Sequence, residues 1–263
     1  PGLGLNAFFA FTVVGALGVP WQTALAAVVV EGVLFVALTA VGAREYVIGL
    51  FPKPVKFAVG TGIGLFLAII GLQAMGIVVG DDATLVTLGS VASNPVAILS
   101  VLGLFLTFAL YARNVPGSII IGIGLTTAAG WVLTRFGPVS PEAGLVAGNA
   151  AVTYDVTPLA GAFVSGLANV EAFTFALVVF TFFFVDFFDT AGTLVGVGQA
   201  GGFLDDDGEF PDIDRPLMAD AIGTTVGGAL GTSTVTTYIE SASGVEEGGR
   251  TGLTALTVAG LFV

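Results

Sequence analysis

From Pro95 to Ala112 the chain reads PVAILSVLGLFLTFALYA without one charged side chain, and several runs of this kind follow one another along the sequence. About 20 apolar residues wound as a helix cross the roughly 30 Å hydrocarbon layer of a bilayer. Apolar length, read against Gly and Pro breakers, predicts spans near residues 6–18, 21–41, 54–79, 95–112, 116–134, 170–199, 216–230, 240–248 and from 251 onward. The first and eighth are too short to cross alone. Because lipid offers backbone polar groups no partner, long runs of this kind must be helices that satisfy their own hydrogen bonds. The expected class is an all-α polytopic membrane protein, one transmembrane unit over residues 1–263 with the lipid bilayer as its solvent. Charged residues make up 10% of the chain, against about a quarter in soluble domains.

What is missing narrows the chemistry. The chain has no cysteine and no histidine, so disulfides, thiolates, the usual metal ligand and the usual neutral-pH proton shuttle are all excluded. No metal or cofactor is expected, and any proton chemistry rests on carboxylates. The net charge of −12 gathers in polar loops, as at Asp205, Asp206, Asp207, Glu209, Asp212 and Asp214, which argues against nucleic acid or anionic lipid headgroups as partners. An acidic, lysine-poor surface is also the habit of halophilic proteins. No basic segment followed by a small-residue cleavage site is visible. The start at Pro1 and the stop at Val263 within an apolar run lead us to expect a fragment with helices missing at both ends. A second copy of the chain, as a homodimer, stays open as a partner.

Orientation follows from the basic residues. If the loop at 42–56 is cytoplasmic, then Arg44, Lys53, Lys56, Arg113, Arg215 and Arg250 fall inside and Arg135 falls outside. That split matches the positive-inside rule only when residues 231–248 count as one broken crossing. The cytoplasmic loops are then 42–56, 113–115, 200–215 and 249–250, and the longest connection runs from Arg135 to Asn169. Most of the 39 glycines are expected to serve close helix packing. The run Gly60 to Gly64 lies inside an apolar span with no Lys-Ser/Thr after it, so it is no phosphate loop.

Three segments carry candidate chemistry. In Thr181 to Thr193, TFFFVDFFDTAGT, the carboxylates Asp186 and Asp189 share one helical face, with Thr190 and Thr193 one turn further on. Charge that deep in an apolar span is costly and usually marks a substrate or proton pathway. In Gly231 to Gly244, GTSTVTTYIESASG, the residues Ser233 to Tyr238 favour extended chain where a helix should continue. Such backbone is tolerated at membrane depth only where it lines a cavity or pairs with a strand. A half-helix starting near Glu240 would present its N–H groups to that cavity. The opening PGLGLNAFFAFTVVGALG is the counterpart: extended glycine-rich chain, then Asn6, then a short helix with Phe8, Phe9 and Phe11. Asp220, in LMADAIGT, is read as a relay or hinge. Glu31 and Gln73 lie mid-span and are read as structural, since nothing near them in sequence forms a constellation.

At GLGLNAFFAFTVV, FFFVDFFDTAGTLVG, MADAIGTTVGGALGTSTVTTYIESASGV and GGRTGLTAL the sequence resembles the hypoxanthine/adenine/guanine permeases of the nucleobase–cation symporter family. The likeness runs along the whole chain, with the motifs in order. It implies fourteen helices in a seven-plus-seven inverted repeat, divided into core and gate elements that interleave along the chain. Two helices are broken by short strands, and this chain covers about helix three to the middle of helix eleven. It implies import of purine nucleobases by proton symport. Asp186, Glu240 and Asn6 would bind the purine, with Tyr238, Ile239 and Phe8 beside them, and Asp189, Asp186 and Asp220 would couple the proton. An ionised carboxylate accepts two hydrogen bonds, which suits the N1–H and exocyclic amine of guanine.

Other classes fit less well. Carriers of the same fold for uracil or xanthine would carry different side chains at these places, and an anion carrier would favour positive or neutral linings. An intramembrane aspartyl protease draws its aspartates from separate helices, one in a Gly-x-Gly-Asp context, whereas Val79-Gly80-Asp81 lacks the first glycine. A non-catalytic membrane subunit has no use for buried carboxylates. No enzyme is expected.

Overall fold

The computed structural model describes residues 3–50, 52–137, 139–140, 143–145, 155, 157–168, 170–205 and 210–261. Asp206, Asp207, Glu209 and Asn169 lie outside the described residues, as does much of the connection from 135 to 169. The chain divides into two compact units, residues 1–64 with 154–263, and residues 65–153.

The first unit holds every candidate site residue. It opens with α1, Leu3–Ala7, which widens without a break into a π-wound segment, Phe8–Ala16. Then come α2 (Trp21–Ala40), α3 (Ala43–Leu50) and the start of α4 (Lys53–Ala74). After the second unit the chain returns with α7 (Ala162–Leu167), α8 (Ala172–Gly201), α9 (Asp214–Leu230), α10 (Ser241–Glu246) and α11 (Gly252–Leu261).

Helix α8 is started by Glu171, whose carboxylate accepts the backbone N–H groups of Phe173 at 3.1 Å and Thr174 at 2.6 Å. These are two of the donors that a helix N-terminus leaves without intrahelical partners. Gly202, at φ +66°, turns the chain off its far end, the left-handed position that glycine fills at least cost. Helices α2 and α9 pack backbone to side chain: a Cβ on Gly32 would sit 2.5 Å from Thr225 Oγ1, and one on Gly228 would sit 2.9 Å from Val29. Small residues at such crossings are what lets helices approach where lipid removes the hydrophobic drive. Two apolar clusters result. Val13, Ala24, Ala27, Val28, Val178 and Phe182 form one. Phe35, Ile48, Phe187, Leu194, Leu217 and Ala221 form the other. Between these two clusters α2 carries Glu31 and α8 carries Asp186, each the one charged residue of its intervening stretch.

The second unit contains the rest of α4, the antiparallel hairpin β1 (Val78–Asp81) and β2 (Leu85–Leu88), then α5 (Pro95–Ala112) and α6 (Ser118–Phe136). Asn94 caps α5 by accepting from Val96 N at 3.0 Å, with Pro95 at the first helical position, where its missing N–H costs nothing. Across α5 and α6, Gly103 faces Thr126 and Gly122 faces Thr107, so each glycine receives the other helix's threonine. Among the described residues, four helices are long and apolar enough to cross a membrane: α2, α5, α6 and α8.

Two local expectations need correction. Short strands were expected in the broken helices, yet among the described residues 232–238 pair with no strand, and the opening segment is helical from Leu3. The β-branched run departs from helix, but a ladder needs a second strand edge, and the opening segment closes its own backbone bonds as helix instead. The third apolar span ends at Ala74, and its last residues turn into β1.

Candidate functional site

The site is built where α2, α3, α8 and α9 meet the non-helical crossing between α9 and α10. Gly231, at φ +97°, ends α9, and a side chain there would run into Leu159. From this turn the backbone runs as neither helix nor strand, and hydrogen bonds attach it to its neighbours. Ser233 Oγ donates to Asn6 Oδ1 at 3.1 Å. Thr224 Oγ1 donates to the Val235 carbonyl at 2.7 Å. Thr236 Oγ1 lies 2.9 Å from Thr190 Oγ1, and the Thr237 backbone N–H donates to Asp220. Ile239 packs over Gly196 of α8.

Behind this crossing sits a buried polar cluster. Asp186 and Thr190 are fully enclosed, and Asp220 is 7% exposed. Thr190 Oγ1 lies 3.3 Å from Asp186 Oδ1 and 3.3 Å from Asp220 Oδ2. One hydroxyl proton thus faces three acceptors, counting Thr236, and can serve one at a time. Arg44, 1% exposed, donates to Asp220 Oδ2 at 2.9 Å and to the Leu217 carbonyl at 3.1 Å. Its guanidinium also lies 3.9 Å from the Phe35 ring centroid, a cation–π contact in a desolvated place. Glu31, wholly buried on α2, turns its carboxyl toward that of Asp186.

The candidate residues sort into three placements. Asp186 and Asp220 are in the buried cluster. Asp189 is half-buried at its edge, bonded to Thr236 and within electrostatic reach of Asp220 and Glu240. Asn6, Tyr238 and Glu240 are exposed, and Glu240 immediately precedes α10 without making a capping bond. Phe8 is instead a packing residue, edge-on to Phe182 at 5.6 Å between ring centres. Two members were absent from the sequence-based set, Glu31 and Arg44. Glu31 falls on a stripe with Ala24, Val28, Phe35 and Thr39, all buried at helical spacing. Arg44, expected in a cytoplasmic loop, is folded back by the turn at Gly42, φ +70°. No cluster of three or more acidic residues suited to a metal ion occurs among the described residues.

The sequence profile of the Permease family matches residues 1–263. The chain belongs to this family. This permease chain is 45% identical over 263 residues to a putative permease of Methanocaldococcus jannaschii, covering 100% of the chain and 58% of that protein. It is 40% identical over 265 residues to the adenine permease AdeP of Escherichia coli, covering 100% of the chain and 57% of the relative. With the guanine/hypoxanthine permease PbuG of Bacillus subtilis it shares 41% identity over 266 residues, 100% of the chain and 58% of the relative. The permease chain thus spans 57–58% of the length of these relatives. The resemblance carried by the aspartate, glutamate and asparagine motifs is to the same group. All three relatives are named as permeases rather than enzymes.

Proposed function

We propose that the protein is a secondary active transporter that imports purine nucleobases (hypoxanthine, adenine or guanine) in symport with protons. The observation that carries this reading is the non-helical crossing at 232–240, laid against a buried carboxylate cluster, with Glu240 exposed at its end and Asn6 of α1 bonded to its Ser233. Non-helical backbone at membrane depth belongs beside a cavity, and carboxylates there accept the N–H groups along a purine edge. Glu240, Asn6, Tyr238 and Ile239 are assigned to the substrate, with Phe8 as support. Asp189, Asp186 and Asp220 are assigned to the proton. Asp186, fully enclosed, acts from behind the binding surface. The two compact units are read as parts of a core and a gate, with the loops at 42–56, 113–115, 200–215 and 249–250 on the cytoplasmic side.

Relatives named for adenine and for guanine and hypoxanthine support a purine over a pyrimidine or an anion. An anion carrier would need free positive charge, and the buried cation Arg44 is already engaged by Asp220 and the Leu217 carbonyl. The test is uptake of radiolabelled hypoxanthine by cells expressing the full-length protein, in competition with adenine, guanine, uracil and xanthine. Adenine or guanine should displace the label and a protonophore should abolish accumulation. Displacement by uracil alone would overturn the substrate assignment, and sodium-dependent uptake indifferent to the protonophore would overturn the coupling.

A further inference from the structure

Glu31 stands mid-way along α2, and its side chain is shut off from solvent entirely. Among the described residues neither of its carboxyl oxygens has a hydrogen-bond partner, and neither does Asp186 Oδ2. Helices α2 and α8 pack together, and the two carboxyl groups lie within interaction range of one another. Besides Asp186, the charged groups that act on Glu31 are Asp220 from α9 and Arg44 from α3. Asp189 adds its charge at Asp186. Arg44 donates to Asp220 Oδ2 and the Leu217 carbonyl, and among the described residues it makes no hydrogen bond to Glu31 or Asp186, although its Nε is left without a partner. Three carboxyls thus lie near one cation, with Glu31 and Asp186 fully enclosed and Asp220 nearly so.

Carboxylates only accept hydrogen bonds, so two of them facing each other are repulsive until a proton sits between them. A buried glutamate kept for packing or capping would be met by donors, and here it is met by another acid. Asp186 continues the chain of contacts outward: its other oxygen lies 3.3 Å from Thr190 Oγ1, which lies 2.9 Å from Thr236 on the crossing.

We propose that Glu31 is a proton-holding residue of the transport cycle, sharing one proton with Asp186 and linked to the substrate crossing through Thr190 and Thr236. The step is a transfer between two carboxyl oxygens. The O–H bond on one breaks as the O–H bond on the other forms, and no other bond changes. This places the proton store one helix further from the substrate than the Asp186/Asp189 face. It rests on the reading of the protein as a proton-coupled purine transporter.

The test uses the full-length protein in proteoliposomes, with radiolabelled hypoxanthine and an imposed pH gradient. Glu31→Gln should retain purine exchange at equal pH but lose accumulation driven by the gradient, because an amide cannot release a proton. Glu31→Asp, which restores the carboxyl one methylene shorter, should recover part of that accumulation. Infrared difference spectra of the unmodified protein should show a protonated carboxyl band that Glu31→Gln removes. Gradient-driven accumulation by Glu31→Gln equal to the unmodified protein overturns the inference. So does an equal loss of exchange and accumulation in folded Glu31→Gln protein, or the absence of a protonated carboxyl band before mutation. If the unmodified protein itself ignores the gradient while exchanging purine, proton coupling fails, and Glu31 loses its role with it.

Discussion

The Arg44–Asp220 pair offers the sharpest check on the architecture of the site, since both side chains are nearly withdrawn from solvent, at 0% and 2% exposure. Removing one partner of a buried ion pair typically costs about 3–5 kcal/mol, because the other charge stays behind uncompensated. Arg44→Gln leaves Asp220 with the Thr237 N–H and the nearby Thr190 hydroxyl, which soften the loss. It also removes the contact over Phe35, about 0.5–2 kcal/mol in its own right. Together these place the expected destabilisation near the lower end of the buried-pair range, about 3 kcal/mol. Asp220→Asn in the same background removes the stranded charge, so the double variant should recover a large share of the stability lost by Arg44→Gln alone. The assay is equilibrium unfolding of the purified protein in mixed micelles, with all four members of the double-mutant cycle. A loss under about 1 kcal/mol for Arg44→Gln, the value of an exposed pair, would refute the buried placement. A double variant as unstable as the single one would refute the pairing.

Two further outcomes follow from the site and its surroundings. Glu240→Gln keeps the shape of the side chain but turns half of an acceptor into a donor, so calorimetric purine affinity should fall about ten- to a hundred-fold, and unaltered affinity would remove Glu240 from the binding set. In the hairpin, Asp81 Oδ1 accepts from Thr84 N at 2.8 Å, Thr84 Oγ1 at 2.9 Å and Ala83 N at 2.9 Å. These bonds, those of Thr84 foremost, hold the Asp81 carboxyl below its ordinary range. A carboxyl lowered by folding stabilises the turn above its unfolded value and loses that contribution as pH falls through the folded one. Amide exchange at Thr84 should therefore accelerate, relative to the intrinsic rate, as pH drops below the usual aspartate range. Asp81→Asn should remove that pH dependence, and a flat profile in the unmodified protein would contradict the bonding.

Much of the fold was legible because lipid makes length and polarity decisive. Residues 95–112 were expected as a span and are α5 to the residue, since Asn94 and Pro95 mark a start that any solvent would respect. The span near 170–199 is α8, displaced by two residues at each end by the Glu171 cap and the glycine at 202. The Asp186/Asp189 face was legible for a similar reason, because two carboxylates within TFFFVDFFDT stand out against phenylalanine. Glu31 was visible as a residue and not as a member of anything. In a helix that is apolar all round, no polar face marks the direction of the buried stripe, so the spacing from Ala24 to Thr39 tells nothing until its neighbours are known. Arg44 failed for the opposite reason: near a chain turn, a cation reads as a loop residue, and the carboxylate that buries it lies 176 positions away.

What the sequence could not express is how the non-helical crossing and the buried acids form one device. The crossing at 232–240 looks in sequence like a missing stretch of helix, yet its hydroxyls and N–H groups are what the cluster bonds to. Thr190 is the pivot. Its single proton faces Asp186, Asp220 and Thr236, so serving any one of them leaves the other two without it. Under the roles proposed above, a proton arriving at Asp186 or a ligand drawing on the crossing through Glu240 would change which acceptor the hydroxyl serves. Coupling between two sites needs an element that both can bias. Under the proposed proton coupling, the Thr190 hydroxyl, held between α8, α9 and the crossing, would be that element, and Thr190→Val should then uncouple purine exchange from gradient-driven accumulation.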